Sequence, residues 1–102
     1  MIELVADLLA GAVFVNSIPH LAAGLRGELF PTPFGKPPGV GKSHPAINFT
    51  WGLANVLVGV ILVAFAPIAV GINAGFILFI AGALIVGIFT ASYFYRWRQH
   101  ND

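Results

Sequence analysis

Residues 72–94 read INAGFILFIAGALIVGIFTASYF, and this stretch contains no Asp, Glu, Lys or Arg. Its length is close to the roughly 20 predominantly apolar residues that a helix needs to cross a bilayer. Two further apolar runs precede it, at residues 4–25 and 46–66. Because lipid-exposed backbone must satisfy its hydrogen bonds internally, each run is predicted to be a transmembrane α-helix. We therefore predict an all-α, multi-pass integral membrane protein with three spans, forming one transmembrane domain over residues 1–102.

The overall composition supports this class and excludes several others. The chain is 58% hydrophobic and only 9% charged, whereas roughly a quarter of the residues in an ordinary soluble domain are charged. A net charge of +1 provides no clustered basic field for nucleic acid, so no nucleic-acid partner is predicted. The absence of Cys excludes disulfides, thiolate nucleophiles and Cys-based metal sites. Membrane lipid is the predicted partner.

The basic residues indicate the orientation of the spans. They occupy two segments, the connection after the first run and the tail after the third: Arg26, Lys36, Lys42, Arg96 and Arg98. Cytoplasmic flanks of membrane spans collect Lys and Arg, so the N-terminus is predicted outside and the C-terminus inside, in the plasma (inner) membrane. We expect Arg26, Lys36 and Lys42 to contact lipid headgroups.

The first run differs from a secretory signal peptide, which is the alternative interpretation. A signal peptide begins with basic residues and has an uninterrupted apolar core. This run begins with Glu3 and Asp7 and is interrupted by Asn16 and Pro19. We therefore expect it to be a membrane span, in which Asp7 reaches the outer surface or meets another helix.

The connection at residues 26–45 is predicted to be non-helical. It holds five of the seven Pro residues, and Pro fixes φ and removes a backbone donor. The segment FPTPF at residues 30–34 is predicted to be extended, with both Phe rings at the membrane interface. A plain tether is the alternative. Residues 67–71 form a much shorter connection, which predicts an antiparallel hairpin of the second and third spans.

The sequence GVGKS at residues 39–43 is similar to the end of a phosphate-binding P-loop. The first Gly of that motif would have to stand at Lys36, and Pro37 and Pro38 lack the amides that hold phosphate. We therefore interpret Ser43 as an N-cap of the second span, with Pro45 in its first turn.

Polar residues lie on matching faces of the first two spans. Asn16 and His20 are four residues apart and so share one helix face. Asn48 and Asn55 are seven apart and share a face of the second span. Pro19 lies between the first pair, and a Pro inside a helix frees a backbone carbonyl that other groups must satisfy. The region around Pro19 is thus a place for polar contact, and the polar faces of the two spans are predicted to meet there.

Depth in the bilayer also matches across the spans. At ~1.5 Å per residue, Asn16 and Asn55 lie ~14 Å from the inner ends of their helices. His20 and Trp51 lie ~7 Å from those ends, as does Thr90 of the third span. We call the predicted set the polar seam: Asn16, His20, Asn48, Trp51, Asn55 and Thr90.

Three functions are compatible with the polar seam. The first is a structural or accessory subunit in which the seam holds helices together, each interhelical hydrogen bond contributing ~0.6 kcal/mol. The second is an oligomeric channel or transporter for a small solute, ion or proton, with its polar site at Asn16, His20, Asn48 and Asn55. The third is a binding site for a lipid or a quinone-like ligand. Because three helices bury only a modest seam, we expect a homo-oligomer or a complex with another membrane protein.

Enzyme chemistry is not predicted, because no catalytic motif is found. His20, Glu28 and His44 lie near the predicted cytoplasmic surface, but their spacing matches no known metal-ligand pattern. No cofactor and no metal are expected. Haem bound through His20 is a weak alternative, since His44 and His100 lie outside the apolar runs.

Overall fold

Residues 1–101 are described by the computed structural model, and three long helices dominate them. These are α1 (Ile2–Leu25), α2 (Pro45–Phe65) and α3 (Ala74–Asn101). Each helix is long and apolar enough to cross a membrane, judged by length and composition. The prediction of three long apolar helices is therefore confirmed.

The helix boundaries differ from the predicted spans mainly in α3. This helix begins two residues after the predicted start at 72 and continues beyond the predicted end at 94. The extension carries Arg98 and His100 in its last turn, where positive charge interacts favourably with the helix dipole. Basic residues that the sequence placed in a tail thus extend the third helix.

Helices α1 and α2 pack in opposite directions. Gly24 of α1 lies against Phe49, and Gly59 of α2 lies against Phe14. As residue numbers rise along α1, they therefore fall along α2. A Cβ added at Gly24 would come within 2.7 Å of a backbone nitrogen, so the missing side chain permits a close helix contact.

Helices α1 and α3 pack in the same direction. Gly11 of α1 lies against the backbone of Phe79, and Gly82 of α3 lies against the backbone of Leu8. Both contacts join backbone to backbone, which is the closest approach that two helices can make. On either side of them, Gly75 lies against Asp7 and Gly87 lies against Val15, so residue numbers rise together along the two helices.

Helix α1 consequently occupies the centre of the bundle. It packs extensively against both α2 and α3, whereas α2 and α3 barely contact each other. The prediction that the second and third spans pack as a hairpin is wrong, although these helices are consecutive and run in opposite directions. The physical reason is that α1 presents small residues on two faces, so both neighbours gain their closest contacts there.

The connection between α1 and α2 folds back on itself. Strand β1 (Phe30–Pro31) pairs antiparallel with strand β2 (Lys42–Ser43). The hydroxyl groups of Thr32 and Ser43 form a buried hydrogen bond of 2.6 Å. We call residues 26–44 the loop, and it is a folded element rather than a plain tether.

The loop packs against the end of α3. The Tyr93 hydroxyl donates to the carbonyl of Gly39 over 2.5 Å, and Nε1 of Trp97 donates to the carbonyl of Val40 over 2.8 Å. The Phe30 ring is buried, with its centre 4.6 Å from that of Phe94. The predicted interfacial position is therefore wrong for Phe30, because aromatic side chains of α3 cover it.

The N-terminus of α2 is capped by His44 rather than Ser43. The His44 side chain accepts a hydrogen bond from the backbone nitrogen of Ala46 over 3.0 Å. Ser43 lies one residue before the cap, and its hydroxyl forms a hydrogen bond with that of Thr32 instead. Pro45 occupies the first position of the helix, as predicted, where its missing N–H is tolerated.

Candidate functional site

A cavity of about 260 Å³ lies among the three helices and the loop. We call it the interhelical cavity. Its wall combines polar and aromatic side chains: Asn16, His20, Thr32, Trp51, Phe89, Thr90, Tyr93 and Phe94. The wall is predominantly apolar, which is typical of small-molecule sites that carry a few placed polar groups.

The structure divides the polar seam into two parts. Asn16, His20, Trp51 and Thr90 line the interhelical cavity. The other two residues, Asn48 and Asn55, are buried behind it. Depth alone predicts that Thr90 belongs to the seam, and it shares a cavity with His20 and Trp51.

Asn48 joins α2 to the strand pair. Its side chain is fully buried, and its Nδ2 donates to the carbonyl of Phe30 over 2.9 Å and to that of Ser43 over 3.2 Å. Since only the NH₂ group of an amide can donate, these carbonyls determine which way the side chain is turned. The oxygen of Asn48 therefore faces α1.

His20 uses that oxygen. Its Nδ1 lies 3.0 Å from Oδ1 of Asn48, and because a carbonyl oxygen only accepts, Nδ1 must carry the proton. In the neutral imidazole the other nitrogen, Nε2, is then an acceptor. Nε2 has no hydrogen-bond partner within residues 1–101, so the cavity wall contains an unused acceptor.

His20 is also held by an aromatic contact. The Phe30 ring meets the imidazole edge to face, with ring centres 5.7 Å apart. A hydrogen bond donated to α2 and a ring from β1 thus position one side chain of α1. Sequence reasoning missed this role of Phe30, since no periodicity relates a loop residue to a helix face.

Asn16 and Asn55 form the deeper layer. Nδ2 of Asn16 donates to Oδ1 of Asn55 over 3.1 Å, and Nδ2 of Asn55 donates to the carbonyl of Trp51 over 2.9 Å. Asn16 is partly exposed to the cavity, whereas Asn55 is buried. Asn55 therefore serves mainly to connect helices.

Trp51 forms one side of the cavity from α2. Its ring lies nearly perpendicular to that of Phe34, with centres 5.3 Å apart. Phe34 is otherwise exposed, and its place at the membrane interface stays a prediction. The loop and α2 together thus shape this side of the site.

A second groove, with a volume of about 360 Å³, lies between α1 and α3. Pro19 lines it together with Thr90, and Arg26 and Arg98 lie at one end. Pro19 leaves the carbonyl of Val15, also in this groove, without its usual helical donor. Helix α1 continues through Pro19, and Val15 and Pro19 line the α1–α3 groove rather than the interhelical cavity.

Asp7 lies on the face of α1 that contacts α3. Its side chain is only 4% exposed, and its Oδ1 is a buried polar atom with no hydrogen-bond partner within residues 1–101. A Cβ added at Gly75 would come within 2.8 Å of the other carboxyl oxygen. Of the two expectations for Asp7, contact with another helix is the one observed.

The residues predicted to contact lipid headgroups have different surroundings. Arg26 forms an exposed ion pair with Glu28, with 2.8 Å between Nη2 and Oε1. This hydrogen bond lowers the pKa of Glu28 and raises the pKa of Arg26. Nζ of Lys42 lies 5.7 Å from the centre of the Trp97 ring, and Lys36 is exposed. Their contact with lipid headgroups stays a prediction.

Residues 1–101 contain no group of three or more His, Cys, Asp or Glu side chains placed to hold a metal ion. Comparison of the chain with known protein families, curated proteins and solved structures found no match. The function proposed below therefore depends on the interhelical cavity and the side chains that line it.

Proposed function

We propose that this chain is a membrane protein that binds a small, largely apolar ligand in the interhelical cavity. One observation carries the proposal. An unused acceptor, Nε2 of His20, lies in a cavity whose wall is otherwise formed mainly by apolar and aromatic groups. Such a wall holds a hydrophobic body, while the isolated polar group orients it.

The volume of the cavity indicates the size of the bound group. About 260 Å³ is slightly below the ~300–1,000 Å³ of typical drug-sized sites. The cavity therefore suits one ring, and the aromatic side chains around it favour stacked or edge-to-face contact with that ring. A hydrocarbon tail on such a ligand would extend from the cavity along the helices into lipid.

Ligand binding is better supported than a transport pathway. A pathway lined by all four candidate polar residues would need Asn48 and Asn55 to face it. Both side chains instead make hydrogen bonds inside the bundle. These two residues fit the structural role, and Asn16 and His20 fit the ligand site. The homo-oligomer and the accessory-subunit role stay predictions.

We also propose that the loop and the end of α3 face the cytoplasm, with the N-terminus outside, in the plasma (inner) membrane. The hydrogen bonds from Tyr93 and Trp97 to the loop support this orientation, because they bring both basic segments to one end of the bundle. The chain has no Cys, so single Cys residues at Val40 and at Ile72 can be labelled with an impermeant maleimide. We expect intact cells to label only Ile72→Cys. Labelling of Val40→Cys in intact cells would contradict the orientation.

The binding proposal is tested with the full chain in nanodiscs of neutral lipid. The probe is 4-nonylphenol, titrated calorimetrically, with empty nanodiscs as the reference for partitioning into lipid. Thr90→Phe fills the cavity, whereas Ser92→Phe on the exposed face of α3 is the matched control. We expect saturable binding that Thr90→Phe abolishes and Ser92→Phe retains. Heats equal to those of empty nanodiscs would contradict the proposal.

A further inference from the structure

The polar group that the interhelical cavity accepts follows from the hydrogen bonds of Asn48. Its NH₂ group is occupied by the carbonyls of Phe30 and Ser43, so its oxygen is the atom that meets His20. A flipped amide would place two carbonyls against the Asn48 oxygen, with no donor between them. The backbone of the strand pair thus determines that Nδ1 of His20 carries the proton.

Nε2 of His20 is therefore the acceptor that a ligand can use. Within residues 1–101, the buried polar side-chain atom without a partner is Oδ1 of Asp7. Nε2 of His20 has no partner either, but it is not among the fully buried atoms. It is therefore open to the cavity that His20 lines. A ligand atom placed there must donate a proton to satisfy it.

The Thr90 hydroxyl complements this acceptor across the same cavity. It makes no side-chain hydrogen bond within residues 1–101, and a hydroxyl can both donate and accept. A ligand hydroxyl could donate to His20 and accept from Thr90. A ligand oxygen without a proton could accept only from Thr90. Its lone pair would then face the lone pair of Nε2 of His20, with no proton between them.

We propose that the ligand is a hydroxylated ring, of the phenol or quinol class, whose O–H donates to Nε2 of His20. The proposal rests on the proposed function of the interhelical cavity and specifies its ligand. It separates quinol-type from quinone-type ligands, because a quinone oxygen is an acceptor only.

The test compares two probes that differ only in whether the ring oxygen carries a proton or a methyl group. 4-Nonylphenol and its methyl ether, 4-nonylanisole, are titrated into the wild type and His20→Phe in neutral nanodiscs. We expect the wild type to bind the phenol about threefold to tenfold more tightly than the ether, as one net hydrogen bond provides. In His20→Phe, which keeps an aromatic ring but has no acceptor, the two probes should bind equally. Thermal unfolding of His20→Phe checks that it folds.

A second measurement needs no substitution at the site. ¹⁵N-histidine spectra of the full chain, with His44→Gln and His100→Gln to simplify assignment, report which ring nitrogen of His20 is protonated. We expect the proton on Nδ1 and a shift of the Nε2 resonance when the phenol is added. Equal binding of the two probes to the wild type, or a proton on Nε2, would overturn this inference while leaving the proposed binding function intact. Binding of neither probe would overturn both.

Discussion

Asn16 of α1 donates a hydrogen bond to Asn55 of α2 across 3.1 Å, in the middle of the bundle. The two residues are 39 positions apart in sequence, and equal depth from the inner helix ends predicted their meeting. Interhelical hydrogen bonds in membranes contribute ~0.6 kcal/mol on average and up to ~1.7 kcal/mol. We expect a double-mutant cycle of Asn16→Ala and Asn55→Ala, measured by unfolding in mixed micelles, to give a coupling energy in that range. Additive effects of the two substitutions would show that the bond does not stabilise the fold.

Asn48 should be far more sensitive to substitution. Asn48→Ala leaves buried carbonyls of the strand pair and Nδ1 of His20 without partners. We expect a loss of about 1–3 kcal/mol in the free energy of unfolding. Thr50→Ala is the control, since its exposed hydroxyl bonds only to a backbone carbonyl of its own helix. Equal stability of both variants would contradict the role assigned to Asn48.

Glycines that permit backbone contact between α1 and α3 should not tolerate a methyl group. A Cβ at Gly11 would overlap the backbone of Phe79, whereas a Cβ at Gly87 would lie 3.5 Å from a side-chain atom of Val15. We expect Gly11→Ala to destabilise the fold by about 1–3 kcal/mol through overpacking, and Gly87→Ala to be tolerated. Thermal unfolding in detergent compares the two. A larger loss for Gly87→Ala would show that the α1–α3 contact is assigned wrongly.

Hydrogen bonds from α3 should hold the loop in place. Tyr93→Phe removes the donor to Gly39, while Tyr95→Phe alters an exposed hydroxyl on the same helix. A net hydrogen bond contributes about 0.5–1.5 kcal/mol. We expect backbone amides of residues 39–41 to exchange with deuterium about twofold to tenfold faster in Tyr93→Phe, and at the wild-type rate in Tyr95→Phe. Unchanged exchange in Tyr93→Phe would indicate that other contacts hold the loop.

The sequence predicted the features that depend on regular geometry. The three helices follow from apolar length, and the pairing of Asn16 with Asn55 follows from the 3.6-residue period and the rise per residue. The same arithmetic placed His20, Trp51 and Thr90 at one level, and these three residues line one cavity.

The features that depend on irregular backbone were not predictable. Phe30 is buried against the helices because the loop folds back as a strand pair, and no residue spacing encodes that fold. His20 is predicted to lie level with Trp51, but it bonds to Asn48, one helical turn away. The same strand pair orients Asn48 through its carbonyls. The central position of α1 was also missed, because small residues occur on all three spans and sequence alone does not pair their faces.

The ion pair of Arg26 and Glu28 gives the loop a dependence on pH. The hydrogen bond from Arg26 lowers the pKa of the Glu28 carboxyl, and Arg98 adds a smaller effect in the same direction. Because the pKa is lower in the folded chain, the contribution of this pair is present above the ordinary pKa of a glutamate. It is lost as the pH falls through the lowered value. Both side chains are more than half exposed, so the contribution to stability is small and screened by salt.

A titration of the Glu28 carboxyl by ¹³C NMR should therefore have its midpoint below that of an unperturbed glutamate. Arg26→Gln removes the hydrogen bond and should move the midpoint upward. Arg96→Gln removes a charge that is not among the causes of the shift, and it should leave the midpoint in place. A midpoint that does not respond to Arg26→Gln would show that the pair does not form in solution. Arg26 would then be free to contact lipid phosphate.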